Sequence, residues 1–322
     1  MDKEVDHVLK IGAFTKSNLG YPLAKNKSLR GEVTRLLTRW NLNQKSFQTV
    51  RTPILYTTLK RTATNKKLPS ITTHERALKT FQYYPSTSVP LEVRDIHGHL
   101  LAYRFPLPLH LVDTLEENDK LLPNVKTSNA GRGTFSHRHY AAWGDYKKEV
   151  YHSSEYLRDR PRSDQWLAAN HQLFKHLSNT LRMLDPQMFI ATTNFPHLKC
   201  PPLAGAWHGV AINQGMTSEN GGDVHQDWQD SHKVLNCAVP YGTWTGGDVA
   251  LWQLKMKIQV QRGEALMFLG SVIAHGACKV ETGERNVIDL FTHKSSFDDK
   301  KRIYTDRQIE DQYPKKKRKT TR

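Results

Sequence analysis

The sequence predicts a mixed, mainly β protein: a sandwich or jelly-roll core with flanking helices and an N-terminal extension. Three observations predict it. From about residue 207 seven short β-rich runs follow one another: WHGVAIN, KVLNCAVP, DVALWQL, KIQVQ, EALMFLG, VIAHGACKV and NVIDLFTH. The turn signals SENGGD, YGTWTGGD, QRGE and ETGE separate them, as in all-β cores with tight connections. At 322 residues the chain is long enough to close a full hydrophobic core.

The elements follow in chain order. The first 70 residues interleave Lys and Arg with Thr, Ser and single aromatics. Within them SLRGEVTRLLTRW (28–40) places apolar residues at helical spacing and basic ones opposite, the pattern of a core-facing helix with a solvated back. A helix is expected to start around LPSITTHE (68–75), with Thr73 as its N-cap. LEVRDIHGHLLAYRF (91–105) alternates on each side of a Gly turn and reads as a β-hairpin. Residues 106–135, with their Pro, Asn and Gly, read as a connecting loop. SDQWLAANHQLFKHLSNTLRML (163–184) reads as one long amphipathic helix capped by Ser163 and packed across the outer face of a sheet. The tail PKKKRKTTR (314–322) is a basic block with no apolar face; it is expected to be disordered and resembles a monopartite nuclear-import signal, so a nuclear location is expected.

Composition excludes several classes. No run of about 18 apolar residues exists, so no membrane span is expected. The start MDKEVDHVLK is charged and lacks the apolar region of a signal peptide. The three cysteines, Cys200, Cys237 and Cys278, include no CxxC pair, so neither a disulfide framework nor a Cys-rich zinc site is indicated, and an intracellular protein is expected. The net charge is +16. Residues 1–150 hold 24 Lys and Arg against 13 Asp and Glu, residues 151–297 hold 13 against 13, and residues 298–322 hold 10 against 5. The basic excess flanks an electrically balanced segment and points to a polyanionic partner, most commonly nucleic acid; solubility alone is the plainer account.

That balanced segment carries the chemistry. His225 and Asp227 are two residues apart, so at a strand end both side chains point the same way. His275 follows in another strand-like run. Two imidazoles and a carboxylate can occupy one face of an octahedral metal and leave the other open, the ligand set of non-haem Fe(II) oxygenases. A structural zinc site is the competing reading, but such sites are closed, four-coordinate and Cys-rich. Arg285, ten residues past His275, starts a strand with residues 287, 289, 291 and 293 on its face. A guanidinium inside a strand needs an anion. Either a dicarboxylate such as 2-oxoglutarate meets it through a planar, bidentate contact, or Glu281 or Glu284 forms a protein salt bridge with it.

HQDWQD (225–230), PYGTWTGGDVALWQLKMKIQVQRGEALMF (240–268) and AHGACKVETGERNVIDLFTHK (274–294) resemble the Fe(II)/2-oxoglutarate dioxygenases of the TET/JBP family, and within it the fungal, transposon-associated branch. The resemblance covers about residues 125–297 and is firmest over 205–295. It implies a double-stranded β-helix (jelly-roll) core and oxidation of the methyl group of 5-methylcytosine to hydroxymethyl-, formyl- and carboxylcytosine, with Fe(II), 2-oxoglutarate and O2 as cofactors. Some relatives act on thymine or N6-methyladenine. Carried over by motif position, His225, Asp227 and His275 hold iron and Arg285 anchors 2-oxoglutarate. Asp230, Phe291 and His293 contact the flipped base, Phe291 by stacking; Asn213 and Arg132 are further candidates for cofactor and base contacts. Val287 stands where many relatives have Ser, which removes one hydrogen bond to the co-substrate. The Cys-rich insert of animal members is absent, as is a CXXC DNA-reading module.

The base contacts also make independent sense. Extruding a duplex base costs a few kcal/mol, and stacking on an aromatic returns about 1–3 kcal/mol. Core packing is the plainer account of Phe291, and support of a metal ligand that of Asp230. Trp228, Trp244 and Trp252 read as core or loop packing. The expected organisation is a basic region 1–124 packed on the core and contributing to DNA binding, a dioxygenase domain 125–297, and a basic tail 298–322. The expected partner of this monomer is double-stranded, methylated DNA. The alternatives are a protein hydroxylase or demethylase on the same fold, and a catalytically inactive, transposon-derived DNA-binding protein.

Overall fold

The computed structural model describes residues 14–16, 22–24, 48–62, 76–123, 128–129, 134–144, 150–193, 199–218 and 224–297. The expected helix at 28–40, the cap Thr73, the candidate Arg132 and the tail 314–322 lie outside them.

All seven C-terminal runs are strands: β10 (Gly209–Met216), β11 (Asn236–Gly246), β12 (Val249–Leu251), β13 (Met256–Ile258), β14 (Glu264–Phe268), β15 (His275–Ala277) and β16 (Val280–Phe291). Before them come β1 (Phe14–Lys16) and β2 (Pro22–Ala24), which pair with each other, then β3 (Gln48–Thr52), β4 (Gln82–Tyr84), β5 (Leu91–Asp95), β6 (Leu100–Pro106), β7 (Ser128–Asn129), β8 (Thr134–Gly144) and β9 (Val150–His152). One large sheet runs β3-β5-β6-β14-β11-β16-β10-β8-β7, with β9 beside β8; a four-stranded sheet runs β15-β12-β13-β4. Strands distant in sequence lie side by side in both, which makes this a mainly β jelly roll.

The expected hairpin is present: β5 alternates buried and half-buried residues and pairs antiparallel with β6, which is buried almost throughout. Asp95 is fully buried and accepts from the N–H groups of Tyr56, His97 and His99, while Gly98 takes φ +87°. A side chain at that φ is strained, so Gly closes the hairpin.

Two expectations are corrected. Residues 106–135 are not one loop: α2 (Leu109–Asn118) follows α1 (Tyr56–Thr62) in chain order and buries Leu111, Val112 and Leu115 on one face. The prolines before it suggest a loop, but Pro108 sits at its N-cap, where no donor is lost. Residues 163–184 form two helices rather than one, α4 (Arg160–Ala169) and α5 (His171–Leu184), after the short α3 (Ser154–Arg158). Asn170 breaks them; its amide donates to Trp166 O and accepts from Asn118 Nδ2. Ser163 is inside α4, donating to Asp159 O, and Pro161 marks the start. Trp166 packs edge-on to Tyr140 of β8, so this helical layer does cover a sheet face.

Two buried groups outside the site oppose each other in pH. The Tyr241 hydroxyl and Gln214 Nε2 donate to Asp119 (3.3 and 2.7 Å), yet burial outweighs both and pushes its carboxyl from 3.8 up to about 6. A folded value above the unfolded one gives stability that is present below about pH 4 and lost as pH rises through about 6. Burial pushes the His208 imidazole from 6.5 down to about 4, so its contribution is present above pH 6.5 and lost on acidification. Asp119→Asn removes one side of this balance. Its unfolding temperature should rise more steeply between pH 4 and 6.5 than that of the wild type; equal slopes would show that Asp119 ionises at no cost.

Candidate metal centre and substrate face

His225 and His275 are joined by a pair of backbone hydrogen bonds, each N–H donating to the other's carbonyl at 2.8 Å. β15 holds His275 at the edge of the small sheet, paired with Leu251 of β12. After His225 the chain turns, and Asp227 N donates to Gly270 O (3.0 Å). That turn, rather than a continuous strand, brings Asp227 back between the imidazoles: its Oδ2 lies 3.3 Å from His275 Nε2 and its Oδ1 3.6 Å from His225 Nε2. The three ligand atoms lie within 4.8 Å of one another. His275 Nδ1 is 2.9 Å from Ile273 O, so Nδ1 carries a proton and Nε2 is the nitrogen that faces the shared point. Burial alone would lower the His275 pKa, but the Asp227 charge and hydrogen bond hold it above the ordinary value.

Two residues that the motifs do not mark fix this geometry. Asn236, the first residue of β11, donates to both Asp227 Oδ2 (3.2 Å) and Asp230 Oδ2 (2.8 Å). Gly270 lies against the same carboxylate: a Cβ there would stand 2.9 Å from Asp227 Oδ2 and 3.0 Å from Asn236 Nδ2. A single polar residue heading an apolar strand was the available signal for Asn236.

Arg285 is 2 % exposed. Other buried arginines have oxygen partners: Arg104 donates to Pro85 O (2.6 Å) and Gln259 O (3.0 Å), and Arg138 to Gln214 Oε1 and Pro123 O (both 2.6 Å). Among the described residues Arg285 reaches only the Met216 thioether (3.6 Å) and the Trp244 ring (5.9 Å), and its Nε has no partner. Glu281 and Glu284 are exposed and form no ion pair with it. Gly247, at φ +66°, permits its approach; a Cβ there would meet Arg285 Cδ at 2.9 Å. Burial pushes the guanidinium pKa down and nearby Asp289 partly restores it, and Asp289 also acts on His275. Asp289 therefore stands close enough to act on both His275 and Arg285. Its carboxylate accepts from Asn213 Nδ2 (3.1 Å), whose Oδ1 is 2.6 Å from His137 Nδ1. Asn213 thus faces the site with its amide engaged by these neighbours.

The strand register explains the remaining placements. In β16, Arg285, Val287, Asp289 and Phe291 alternate onto one face, and Gly209 pairs with Phe291. Phe291 is half-buried; its ring covers Gly209 and meets His139 edge-on at 5.7 Å. Asp230 and His293 form a β-bridge. The Ser295 N–H donates to His293 Nδ1 (3.3 Å), leaving the Nε2–H of the neutral ring to donate elsewhere. Burial, then neighbouring Lys294, lowers the His293 pKa and favours that neutral form. Of the three tryptophans, Trp244 packs on the core and Trp252 against Phe81, while Trp228 sits in a turn and is 43 % exposed.

The donor set fits a metal that takes two imidazoles and a carboxylate on one face, and the buried Arg285, with no ion pair among the described residues, fits a carboxylate ligand. No protein-family profile matches the sequence, and no curated protein matches it. Among solved structures, NgTET1 in complex with 5mC DNA superposes with a TM-score of 0.50 at 16% identity, over 76% of this chain and 93% of that one. A 2OG-Fe(II) oxygenase family oxidoreductase from Burkholderia pseudomallei gives 0.39 at 12% identity, over 61% and 86%. OsALKBH1 gives 0.36 at 12%, over 60% and 96%. The last two are too distant to support an argument. The chain has a jelly-roll core, and at this identity the likeness to NgTET1 extends to the fold.

Proposed function

We propose that this protein is an Fe(II)/2-oxoglutarate-dependent dioxygenase that oxidises the methyl group of 5-methylcytosine in DNA. The observation that carries the cofactor reading is Arg285: a buried guanidinium with no ion pair among the described residues, near the same Asp289 that acts on His275. His225, Asp227 and His275 would hold the iron and Arg285 the distal carboxylate of the co-substrate. With O2, this pair supplies the oxidising power for an unactivated C–H bond. The residues of the chain position and select. Phe291 offers a ring face to an extruded base, His293 an Nε2–H donor to a ring nitrogen or carbonyl, and Asp230 an acceptor for an exocyclic amine. The likeness to NgTET1, whose structure holds 5mC DNA, favours this substrate over a peptide. The basic flanks favour a polyanion, and the basic tail fits a nuclear protein.

Incubation with Fe(II), 2-oxoglutarate, ascorbate and methylated DNA, followed by nucleoside mass spectrometry, tests the reading. Oxidised cytosine is expected; oxygen gained only by a peptide pool would overturn it. Oxidised thymine or N6-methyladenine would keep the chemistry and change the base. Asp230→Ala adds a second test. Base oxidation should fall about 100-fold while uncoupled 2-oxoglutarate turnover falls only a few-fold. Equal losses would make Asp230 a support of Asp227 through Asn236, the arrangement of hydrogen bonds that also exists here.

A further inference from the structure

The cofactor chemistry leaves one feature of the rim unused. Trp228 stands between Asp227 and Asp230, yet its indole is 43 % exposed. Lys294 Nζ lies 4.8 Å from the centre of that ring and 3.4 Å from the Trp228 carbonyl oxygen. The backbones are tied as well: Lys294 N donates to Gln229 O at 3.0 Å. The Asp230–His293 bridge joins these same two segments, so the Trp–Lys pair borders the proposed base pocket. Two more lysines stand nearby. Lys199 N donates to Ser296 O, and Lys233 Nζ lies 5.7 Å from the Phe297 ring.

We propose that Trp228 and Lys294 form a docking platform for the nucleic-acid strand beside the reacting base. The inference rests on the DNA reading above. An exposed aromatic face next to an ammonium matches a strand that alternates bases with phosphates: the indole stacks on a base, and the lysine pairs with a phosphate. Lys294 now lies over one side of the partly exposed indole. On binding it exchanges the ring for a phosphate oxygen and uncovers the surface that the base needs. Stacking is tolerant of sequence, so the platform adds affinity and leaves the choice of base to the pocket.

Fluorescence anisotropy with a labelled duplex carrying one 5-methylcytosine tests this on the full-length protein loaded with Fe(II) and 2-oxoglutarate. Trp228→Ala should weaken binding about tenfold, and Trp228→Phe should restore most of it. Lys294→Gln should weaken binding and lower the slope of log affinity against log salt by about 1. Wild-type affinity and slope in both variants would overturn the platform while leaving the DNA reading intact. No salt-dependent DNA binding by the wild type would overturn both. Polyglutamate serves as the second probe: if Trp228→Ala weakens its binding as much as that of DNA, the surface reads charge alone and the platform is overturned.

Discussion

Arg285→Met is expected to abolish 2-oxoglutarate-dependent turnover and, in the same protein, to raise the unfolding temperature of the metal-free form. The two effects have one cause. The guanidinium is buried beside a thioether and an indole, with no carboxylate partner among the described residues. Desolvating a charge without a counter-charge is costly, and apolar replacements of buried ionic groups stabilise by about 1–4 kcal/mol. Methionine fills similar space without the charge, so calorimetry should show a midpoint several degrees higher. Under the proposed function, the carboxylate of 2-oxoglutarate supplies the counter-charge that the described residues do not. A desolvated, hydrogen-bonded charge pair that loses one partner costs about 2–5 kcal/mol, so 2-oxoglutarate affinity should fall between about 30-fold and several thousand-fold. Excess 2-oxoglutarate should stabilise the wild type and leave the variant unchanged. A lower midpoint in the metal-free variant would mean that Arg285 has an internal partner and is structural.

The parts of the site that could be read in the sequence are those that two or three neighbouring residues define. The HQDWQD and GER motifs are short, and the strands that carry His275 and Arg285 are marked by their own alternation. Asn236, Gly270 and Asp289 are different. Asn236 matters through a loop that folds back to place Asp227 and Asp230 against it, Gly270 through a turn set against Asp227, and Asp289 through the β10–β16 register that brings Asn213 to it. Local pattern marks Asn236 as a polar residue heading an apolar strand and puts residue 289 on the Arg285 face, but it does not name the partner that either one meets. The misread helices have local causes instead: prolines ahead of Leu109 suggest a loop, and apolar periodicity runs unbroken through the Asn170 break. Core and loop packing of Trp228 look alike in sequence, and its exposure beside Lys294 is set by the chain turn after Asp227.

Asp227→Ala should remove iron binding and all turnover, and Gly270→Ala should reproduce part of that loss without touching a ligand. With Asp227 gone, two imidazoles remain to hold an oxygen-preferring Fe(II), and affinity should drop by more than about 100-fold, the upper end of what loss of a mere supporting residue costs. Gly270→Ala acts by displacement. Its new methyl would lie 2.9 Å from Asp227 Oδ2 and 3.0 Å from Asn236 Nδ2, and neither group can retreat freely. The carboxylate is tied through its own backbone to Gly270 O, and Asn236 is committed to both Asp227 and Asp230. Iron affinity should fall about 10- to 100-fold, as for other changes behind a ligand. Anaerobic titration with Fe(II), read by calorimetry, separates the two. Equal affinity in Gly270→Ala and wild type would mean that Asp227 is free to move, and that the preorganised carboxylate is not what sets the metal site. Equal affinity in Asp227→Ala would remove the triad itself.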